Sequence, residues 1–448
     1  MPNLFTRAAS LLLRDDPEDA GDPDARQLLR ALGYADPAGG VGKSGSETHH
    51  RARLLTTASR FVRVFELAAP EAPGLVCFGA EIDPATADPL HTGSPAVSVS
   101  GVGLSPQQAF QGCIGEGIEY LSQLQTGTDV LELPDPSGPA GGLGPATREF
   151  LTAFEACRLR PDAGLSWHRV TRVTDRCEVL LPSDLCLRRP LDQREIRPPF
   201  PLSTGSAAGT SWHAAALHGL MEVIERDAAS LWWWGGSRGR SIPPQDEAHI
   251  MAQALLARLR QNASARRSWL LDITTDIGVP SVAAVSCATD GFGFAFGLAA
   301  RPTLAAAARG AVLEMCQGEL AYAVVEAKCR ERGEAALNER DRVHRRRATT
   351  INADRCLLLQ PVAEPSEHLV VDTTDANSVL QLIAKRLERF GIETFTLDLT
   401  RAHLAIPAAR VITPGLQLEP SEIVMPRLAD MMARTGGGAI YTGGVALI

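Results

Sequence analysis

Acidic side chains at helical spacing are the residues of this chain best suited to chemistry. Glu222 and Glu225 stand three residues apart in HGLMEVIERDA, a stretch with helical apolar periodicity that follows the cap residue Ser211. Such a pair shares one helix face at about 6 Å and repels by about 3 kcal/mol at an effective dielectric of about 20. A buried pair therefore requires a cation, and ligands that are oxygen atoms alone favour magnesium over zinc or copper.

The same arrangement occurs three times at one distance from a helix cap. The eleventh and fourteenth residues after each cap are Glu116 and Glu119 after Ser105, Glu222 and Glu225 after Ser211, and Glu314 and Gln317 after Thr303. Each predicted helix follows an extended stretch and a turn of small or polar residues, namely AVSVSGVG, FPLSTGSAAG and GFAFGLAARP. One Glu-x-x-Glu pair is typical of a solvated helix face. Three pairs at one offset instead predict three strand-turn-helix units that direct their polar faces alike.

An acidic pocket of this kind fits a nucleotide whose phosphates are bridged by magnesium. Arg226 and Arg309 stand close to these acids in sequence and are suited to donate charge-assisted hydrogen bonds to phosphate oxygens. Phosphoryl transfer is catalysed largely by positioning and by neutralisation of charge. The residues therefore predict the ATP-dependent activation of a substrate.

Composition narrows the classes of protein that remain. With 448 residues the chain exceeds a usual single domain, and we expect an N-terminal helical and flexible segment, 1–58, before a catalytic domain, 59–448. A net charge of −8 argues against a general nucleic-acid binder. No apolar run approaches the length of a membrane span, and no signal peptide is recognisable, so we expect no membrane partner and a cytoplasmic location.

Two further sequence features are excluded as functional sites. The nine cysteines include no Cys-x-x-Cys pair, which argues against a disulfide framework and against a structural zinc site. The stretch DPAGGVGKSG, residues 36–45, looks like a phosphate-binding loop, but Pro37 stands where that pattern requires glycine. We interpret 36–45 as a linker.

These motifs resemble the YcaO family. STGSAAG followed by HGLMEVIERDA matches the family pattern Ser-x-Gly-x-Ala-x-Gly and then Leu-x-Glu-x-x-Glu-Arg-Asp. GVGLSPQQAFQGCIGEGIEY, AARGAVLEMCQ and DLTRAHLAIPAARVITPGLQ are further matches in the family's order, and the tail from about residue 418 has no match. The resemblance implies an α/β, YcaO-type fold with pseudo-repeated strand-turn-helix units that binds ATP and magnesium.

The resemblance also implies roles for individual residues. The implied magnesium ligands are Glu116, Glu119, Glu222 and Glu225. The implied catalytic phosphate contacts are Arg226 and Arg309, and the implied neighbours of the nucleotide are Ser203, Gly205 and Gln317. One departure from the family pattern is Tyr120, which replaces an arginine that often follows the first glutamate pair.

The activity implied by the resemblance has three alternatives. The first is the cyclodehydration of Cys, Ser or Thr to thiazoline or oxazoline in a ribosomally synthesised precursor peptide, by phosphorylation of a backbone amide oxygen. The second is peptide thioamidation with a TfuA-like protein, and the third is a non-catalytic accessory subunit. Since residues 1–60 contain no recognisable leader-binding region, we expect a separate E1-like or leader-binding partner, and a homodimer stays open. The chain ends without the Pro-x-Pro-x-Pro tail of many cyclodehydratases.

Overall fold

The computed structural model describes residues 3–13, 22–34, 45–132, 142–160, 164–364 and 366–448. The linker predicted at 36–45 lies outside these ranges except for Gly45, where a helix begins. The helices are α1 Leu4–Leu12, α2 Pro23–Ala31, α3 Gly45–Ala58, α4 Pro106–Gln123, α5 Pro145–Glu155, α6 Ser183–Cys186, α7 Trp212–Trp233, α8 Glu247–Arg260, α9 Leu304–Arg332, α10 Glu339–Thr350, α11 Ala376–Glu388, α12 Pro426–Thr435 and α13 Ala439–Thr442. The strands are β1 Arg63–Leu67, β2 Val76–Ile82, β3 Val97–Gly103, β4 Trp167–Arg172, β5 Glu178–Pro182, β6 Ser206–Ala208, β7 Arg267–Asp272, β8 Ser281–Cys287, β9 Ala295–Ala300, β10 Phe395–Asp398 and β11 Ala408–Ile412.

The described strands form three sheets. Their orders are β1-β2-β3, β5-β4-β10-β11-β6 and β7-β8-β9, and every pairing between these strands is antiparallel. The expected mixture of helices and sheets is confirmed. Strands β3, β6 and β9 each precede one glutamate-bearing helix, and each lies at an edge of its sheet.

The three glutamate-bearing helices begin in the same way. Ser105, Ser211 and Thr303 are N-caps, and their side-chain oxygens accept hydrogen bonds from the third residue of α4, α7 and α9 respectively. Each bond satisfies one of the amide groups that a helix leaves unpaired at its start. The common offset of the acids from the caps therefore becomes a common position along three helices. The recurrence of whole strand-turn-helix units stays a prediction.

The central helix α7 is buried along most of its length. Its first half packs against β11 and α11, and its second half packs against β8 and the segment around Leu358. Trp232 and Trp233 are 1% and 0% exposed, and their indole N–H groups donate to the carbonyls of Leu358 and Val445. Buried apolar rings therefore close the C-terminal end of the helix.

The N-terminal helices and the C-terminal tail both pack on the body that carries the glutamates. The ring of Phe110 in α4 stacks on Phe5 at 6.0 Å and meets the edge of Tyr34 at 6.1 Å. At the other terminus, Val445 and Leu447 are buried beside the end of α7. The domain boundary expected near residue 58 stays a prediction. Among the described residues, no helix has the length and apolar character needed to cross a membrane.

Candidate active site

Five glutamates on α4, α7 and α9 accept hydrogen bonds from backbone N–H groups at three sheet edges. The pairs are Glu116 with Ser100 at 3.2 Å, Glu119 with Ala208 at 3.0 Å, Glu222 with Gly205 at 3.0 Å, Glu225 with Ala300 at 3.3 Å and Glu314 with Leu298 at 3.1 Å. An edge strand has N–H groups that its own sheet does not pair, and an unpaired buried N–H costs free energy. One carboxylate oxygen of each glutamate therefore accepts a hydrogen bond that stabilises the fold. The other oxygen remains available to a ligand.

The contacts of these helices form a closed ring. The residue eleven positions after each cap, such as Glu116, binds the stretch that leads into its own helix. The residue fourteen positions after the cap binds the next unit instead: Glu119 of α4 reaches β6, and Glu225 of α7 reaches β9. Gln317 of α9 completes the ring, because its amide donates to the Ser100 hydroxyl in β3 at 2.9 Å. The structure thus brings all three acid-bearing helix faces to one place.

Arg226 lies inside this acidic ring. Its Nη2 is 3.7 Å from Glu222 Oε1 and 3.6 Å from Glu225 Oε1. Burial disfavours the charged guanidinium, but the charges of Glu225, Glu222 and Glu314 outweigh that effect and raise the pKa of Arg226. The arginine is therefore a fixed cation at the centre of the site.

One arginine does not neutralise the glutamates around it. Burial raises the pKa of Glu119 well above its usual value, and the charges of Glu116 and Glu222 add to this effect. Burial and the charge of Glu225 raise the pKa of Glu314 to about 8. A further cation would relieve both the desolvation and the mutual repulsion of these carboxylates.

The side-chain ligands at this site suit magnesium that is bound together with a nucleotide. Glutamate oxygens dominate it, and oxygen ligands are those that magnesium prefers. In the part of the chain that the structure describes, no group of three or more His, Cys, Asp or Glu side chains is arranged to hold a metal ion by itself. Magnesium at nucleotide sites usually takes only one or two carboxylates, and phosphate oxygens and water complete its shell. The separated glutamate pairs fit that mode of binding.

The turn before α7 is held close to the site by a glycine. Gly205 has a φ of +86°, and an added Cβ would lie 2.2 Å from the carbonyl oxygen of Val411. Its carbonyl accepts from Val411 N at 2.7 Å while its N–H donates to Glu222, so the residue joins β11 to the acidic ring. Ser203, two residues earlier, is exposed, and its carbonyl accepts from Ser206 N at 2.9 Å. Both residues thus lie on the turn that contacts the glutamates.

The structure does not bring Arg309 into contact with the glutamates. Its side chain is exposed on α9 and has no hydrogen bond or ion pair with any described residue. Arg301 lies closer, because its positive charge opposes the rise in the pKa of Glu314 and its Nη1 donates to the carbonyl of Ala300 at 2.7 Å. Arg301 was missed in the sequence, where the only available signal was its place between a predicted strand and a predicted helix.

A second arginine near the site has no acidic partner in the part of the chain that the structure describes. The guanidinium of Arg188 lies 5.4 Å from the ring centre of Tyr120, which directly follows Glu119. Its Nε is buried and has no hydrogen-bond partner among the described residues. Burial, together with the charge of Arg194, lowers the pKa of Arg188. No sequence signal linked Arg188 to Tyr120, since 68 positions separate them.

Two more charged residues near the ring are buried and come from the end of the chain. Arg410 in β11 is 2% exposed and donates to the Leu185 carbonyl and the Ser206 hydroxyl. Glu419 is also 2% exposed, and burial raises its pKa to about 7 although the charge of Arg226 opposes this rise. Neither was predicted as a site residue, because an isolated Arg or Glu in a strand or loop carries no pattern.

An acidic site anchored to backbone amides, with one arginine among the glutamates, fits the class of proteins that bind a nucleotide with a divalent cation. The family model described as YcaO cyclodehydratase, ATP- and Mg2+-binding, matches residues 100–417. The chain belongs to the YcaO family. It is therefore an enzyme with ATP and Mg2+ as cofactors, and its class of activity is ATP-dependent peptide modification.

Two relatives are similar in sequence. An uncharacterized protein of Methanothermobacter thermautotrophicus is 27% identical over 344 residues, which are 72% of this chain and 82% of the relative. A protein of Rhizobium leguminosarum bv. trifolii, described as an uncharacterized protein in the tfuA 3' region, is 36% identical over 100 residues, which are 21% of this chain and 23% of the relative.

Three solved structures share the fold. A heterocyclase in complex with substrate and cofactor has a TM-score of 0.64 and 21% identity, and the match covers 85% of this chain but 55% of the heterocyclase. The YcaO protein of Methanopyrus kandleri, bound with AMPPCP and Mg2+, has a TM-score of 0.56 and 18% identity over 82% of this chain and 89% of that protein. A chain of the E. coli microcin synthetase McbBCD complex has a TM-score of 0.51 and 13% identity over 76% and 84% of the two chains. This chain thus spans about half of the heterocyclase.

Proposed function

We propose that this enzyme phosphorylates backbone amide oxygens of a ribosomally synthesised precursor peptide and so cyclodehydrates Cys, Ser or Thr to thiazoline or oxazoline. The observation that carries the proposal is the ring of five backbone-anchored glutamates around Arg226 in a chain of the YcaO family. The similarity in fold to a heterocyclase in complex with substrate and cofactor supports the choice of reaction.

Different residues of this chain would bind the metal and the phosphates. Glu116, Glu119, Glu222 and Glu225 would hold magnesium, whose chemistry here is the neutralisation of phosphate charge. Arg226 would bind phosphate oxygens, because its guanidinium lies between two of these acids.

The nucleotide would be placed by the residues around this core. The turn with Ser203 and Gly205 would lie along it, and Gln317 would keep the third helix in register. Arg309 is exposed and contacts no described glutamate, so a phosphate of the bound nucleotide would be its partner.

In the proposed reaction the peptide supplies both reacting groups. The side chain of Cys, Ser or Thr adds to the preceding carbonyl carbon, and the resulting oxygen attacks the γ-phosphate of ATP. ADP leaves in this attack, and phosphate then departs with the former amide oxygen as the ring nitrogen loses its proton. The amide oxygen, the side-chain proton and the amide proton are thus lost, so each ring formed consumes one ATP and removes the elements of one water from the peptide. The site residues accelerate the transfer by positioning and by stabilising charge.

A second function is favoured by one observation. The relative described as lying in the tfuA 3' region supports peptide thioamidation with a TfuA-like partner. In both cases the amide oxygen is activated by ATP, and the two functions differ in the group that replaces it. The partners are accordingly a precursor peptide and either a separate E1-like, leader-binding protein or a TfuA-like protein. The similarity to a chain of the McbBCD complex supports work within an assembly.

Mass spectrometry separates these functions. The protein is incubated with candidate precursor peptides from neighbouring genes, the candidate partner, ATP and magnesium. We expect products that have lost one water for each ring. An exchange of oxygen for sulfur would instead establish thioamidation. Unmodified peptide with every precursor and partner, under conditions in which the protein binds nucleotide, would refute both. The third alternative, a non-catalytic subunit, is not kept, because the family is one of enzymes.

A further inference from the structure

A large cavity lies beside the second half of α7. It has a volume of about 790 Å³ and is enclosed by the second half of α7, the turn between β7 and β8, residues 367–370, α11 and α12. Its lining includes none of the five glutamates of the ring and does not include Arg226. The cavity is therefore separate from the candidate nucleotide site. Its volume lies in the range of ligand-binding pockets, about 300 to 1,000 Å³.

Arginines dominate the charged lining of this cavity. Five arginines and three acids line it, so the lining has an excess of two positive charges: Arg238, Arg240, Arg386, Arg427 and Arg434 against Asp276, Glu367 and Asp430. Of these arginines, only Arg427 has acidic partners among the described residues, and it binds both Asp227 and Asp276. Glu367 and Asp430 are both exposed.

Three of these guanidinium groups are held in place but not neutralised. Arg238 Nη2 donates to the Gln360 carbonyl at 3.0 Å, Arg240 Nη1 to the Thr274 carbonyl at 3.1 Å, and Arg386 Nε to the Ile277 carbonyl at 3.2 Å. All three are half-buried, and the Nε of Arg238 is buried with no partner among the described residues. Backbone carbonyls orient a guanidinium without cancelling its charge. Partly buried cations without counter-ions are costly, and an anionic ligand would remove that cost.

The remaining lining indicates what kind of anion would fit. Leu231, Ile273, Leu369, Val370 and Met431 give the cavity an apolar part, and Val370 is 73% exposed at the surface. The arginines come from separate segments, which suits several acidic groups on an extended ligand more than one small anion. Because the whole chain carries a net charge of −8, an acidic ligand would be repelled by much of the surface and attracted to this cavity.

We propose that this cavity is a second binding site that takes an acidic, partly apolar segment of a peptide. The proposal rests on the proposed function in one respect, namely that the segment belongs to the peptide whose amides are activated at the glutamate ring. Binding at a distance from the chemistry would keep the substrate on the enzyme while successive amides enter the site. The binding step itself needs neither ATP nor magnesium.

Fluorescence anisotropy with a defined probe tests this site. The probe is a short fluorescein-labelled peptide of alternating Glu and Leu, and the two comparison peptides carry Gln or Lys in place of Glu. We expect the full chain to bind the Glu peptide without nucleotide and to bind it more weakly as salt increases. The Gln and Lys peptides should bind at least about tenfold more weakly. Equal affinity for the Glu and Gln peptides would overturn the proposal.

Variants locate the binding. Arg386→Gln and Arg238→Gln should each weaken the Glu peptide by about tenfold, whereas Arg332→Gln, at the exposed end of α9, should not. Arg386→Glu should in addition gain affinity for the Lys peptide, a result that loss of folding does not produce. Equal weakening by Arg332→Gln, or no effect of the cavity variants, would overturn the proposal. Displacement of the peptide by inorganic phosphate at matching concentration would show a small-anion site and would also overturn it.

Failure of this inference is distinguishable from failure of the proposed function. The same preparations are titrated with AMPPCP and magnesium. A protein that binds the nucleotide but not the Glu peptide refutes the cavity site alone. A protein that binds the peptide but makes no azoline or thioamide with any precursor refutes the proposed function alone.

Discussion

At the scale of single residues, Glu222 and Glu225 each have two partners of different kinds. Glu222 accepts the Gly205 N–H with one oxygen and faces Arg226 with the other, and Glu225 does the same with Ala300. The first contact satisfies a backbone N–H group of the fold, and the second would serve the proposed site for phosphate and metal. Substitutions that keep the first contact and remove the charge therefore isolate function from folding.

Glu222→Gln and Glu225→Gln are such substitutions, because the Gln carbonyl still accepts the backbone hydrogen bond. Each variant is expected to lose at least about tenfold in affinity for magnesium and nucleotide, which is about 1.4 kcal/mol, and to lose product formation with it. Isothermal titration with AMPPCP and a turnover assay measure both. Glu331→Gln, at the exposed end of α9, is the matched control. Wild-type affinity in both ring variants would remove the metal assignment.

Arg188 is expected to lower the stability of the ligand-free protein. A half-buried arginine that stacks on Tyr120 without an acidic partner costs free energy in the ligand-free protein. Arg188→Met should therefore unfold at the same or a higher urea concentration than the wild type and yet bind substrate or nucleotide about tenfold more weakly. A variant that is less stable but fully active would show that Arg188 serves only the fold.

His344 in α10 predicts how stability depends on pH. Arg347 Nη2 donates to His344 Nδ1 at 3.3 Å, which requires an unprotonated acceptor. Burial, with the charges of Arg347 and Arg340, lowers the pKa of His344 to about 4. An unfolded histidine titrates near about 6.5, so the folded state binds fewer protons between these values and its stability falls as the pH decreases through that window.

His344→Gln keeps an acceptor for Arg347 and removes the titration. Between about pH 6.5 and pH 4 the wild type should lose about 1 to 2 kcal/mol more stability than the variant, a figure reduced for partial solvent exposure. Urea unfolding at a series of pH values measures the difference. Parallel curves for the two proteins would contradict the lowered pKa.

At the scale of secondary-structure elements, the site depends on three sheet edges meeting three helices. Strands β3, β6 and β9 end their sheets, and the carboxylates of α4, α7 and α9 pair the N–H groups that these edges expose. Close approach is needed at the turn before α7, where Gly205 touches β11. The position of this turn therefore depends on the absence of a side chain at residue 205.

Gly205→Ala tests that dependence. A Cβ here would meet the Val411 carbonyl oxygen at 2.2 Å in a backbone conformation with φ of +86°, so we expect a loss of about 1 to 3 kcal/mol in stability. The shift of the turn should also weaken nucleotide binding through Glu222. Gly115→Ala in α4, with open space around its Cβ, should stabilise the helix by about 0.5 to 1 kcal/mol. Urea unfolding compares the two, and similar effects would refute this account.

At the scale of the whole molecule, the ring holds negative charge that the ligand-free protein only partly neutralises. Burial and neighbouring acids raise the pKa of Glu314 and of Glu119, so a ligand that brings a cation should bind the folded state and stabilise it. The helices of the ring belong to several core clusters, so the stabilisation should extend beyond the site.

AMPPCP with magnesium should therefore raise the unfolding temperature of the full chain. At a ligand concentration one hundred times the dissociation constant the gain is about 2.7 kcal/mol. Thermal unfolding followed by circular dichroism measures the shift, and EDTA added to the same mixture should reverse it. Stabilisation that is unchanged by EDTA would show that the nucleotide binds without the metal.

The sequence by itself determined the local parts of this protein. Helical periodicity and the caps Ser105, Ser211 and Thr303 located the three acid-bearing helices, and their common offset predicted that the acids share a site. The extended stretches AVSVSGVG, FPLSTGSAAG and GFAFGLAARP contain the strands β3, β6 and β9. These properties depend on residues a few positions apart, so a pattern along the chain is enough to show them.

Only the tertiary structure decided which distant segments meet. It joined Glu119 to β6 and Glu225 to β9, left Arg309 exposed, and brought Arg188 onto Tyr120. It also paired the described strands antiparallel in three sheets and placed several arginines around a cavity beside the second half of α7. Such contacts depend on how sheet edges, helix faces and buried charges pack and pair in three dimensions. The spacing of residues along the chain does not show which distant segments will meet.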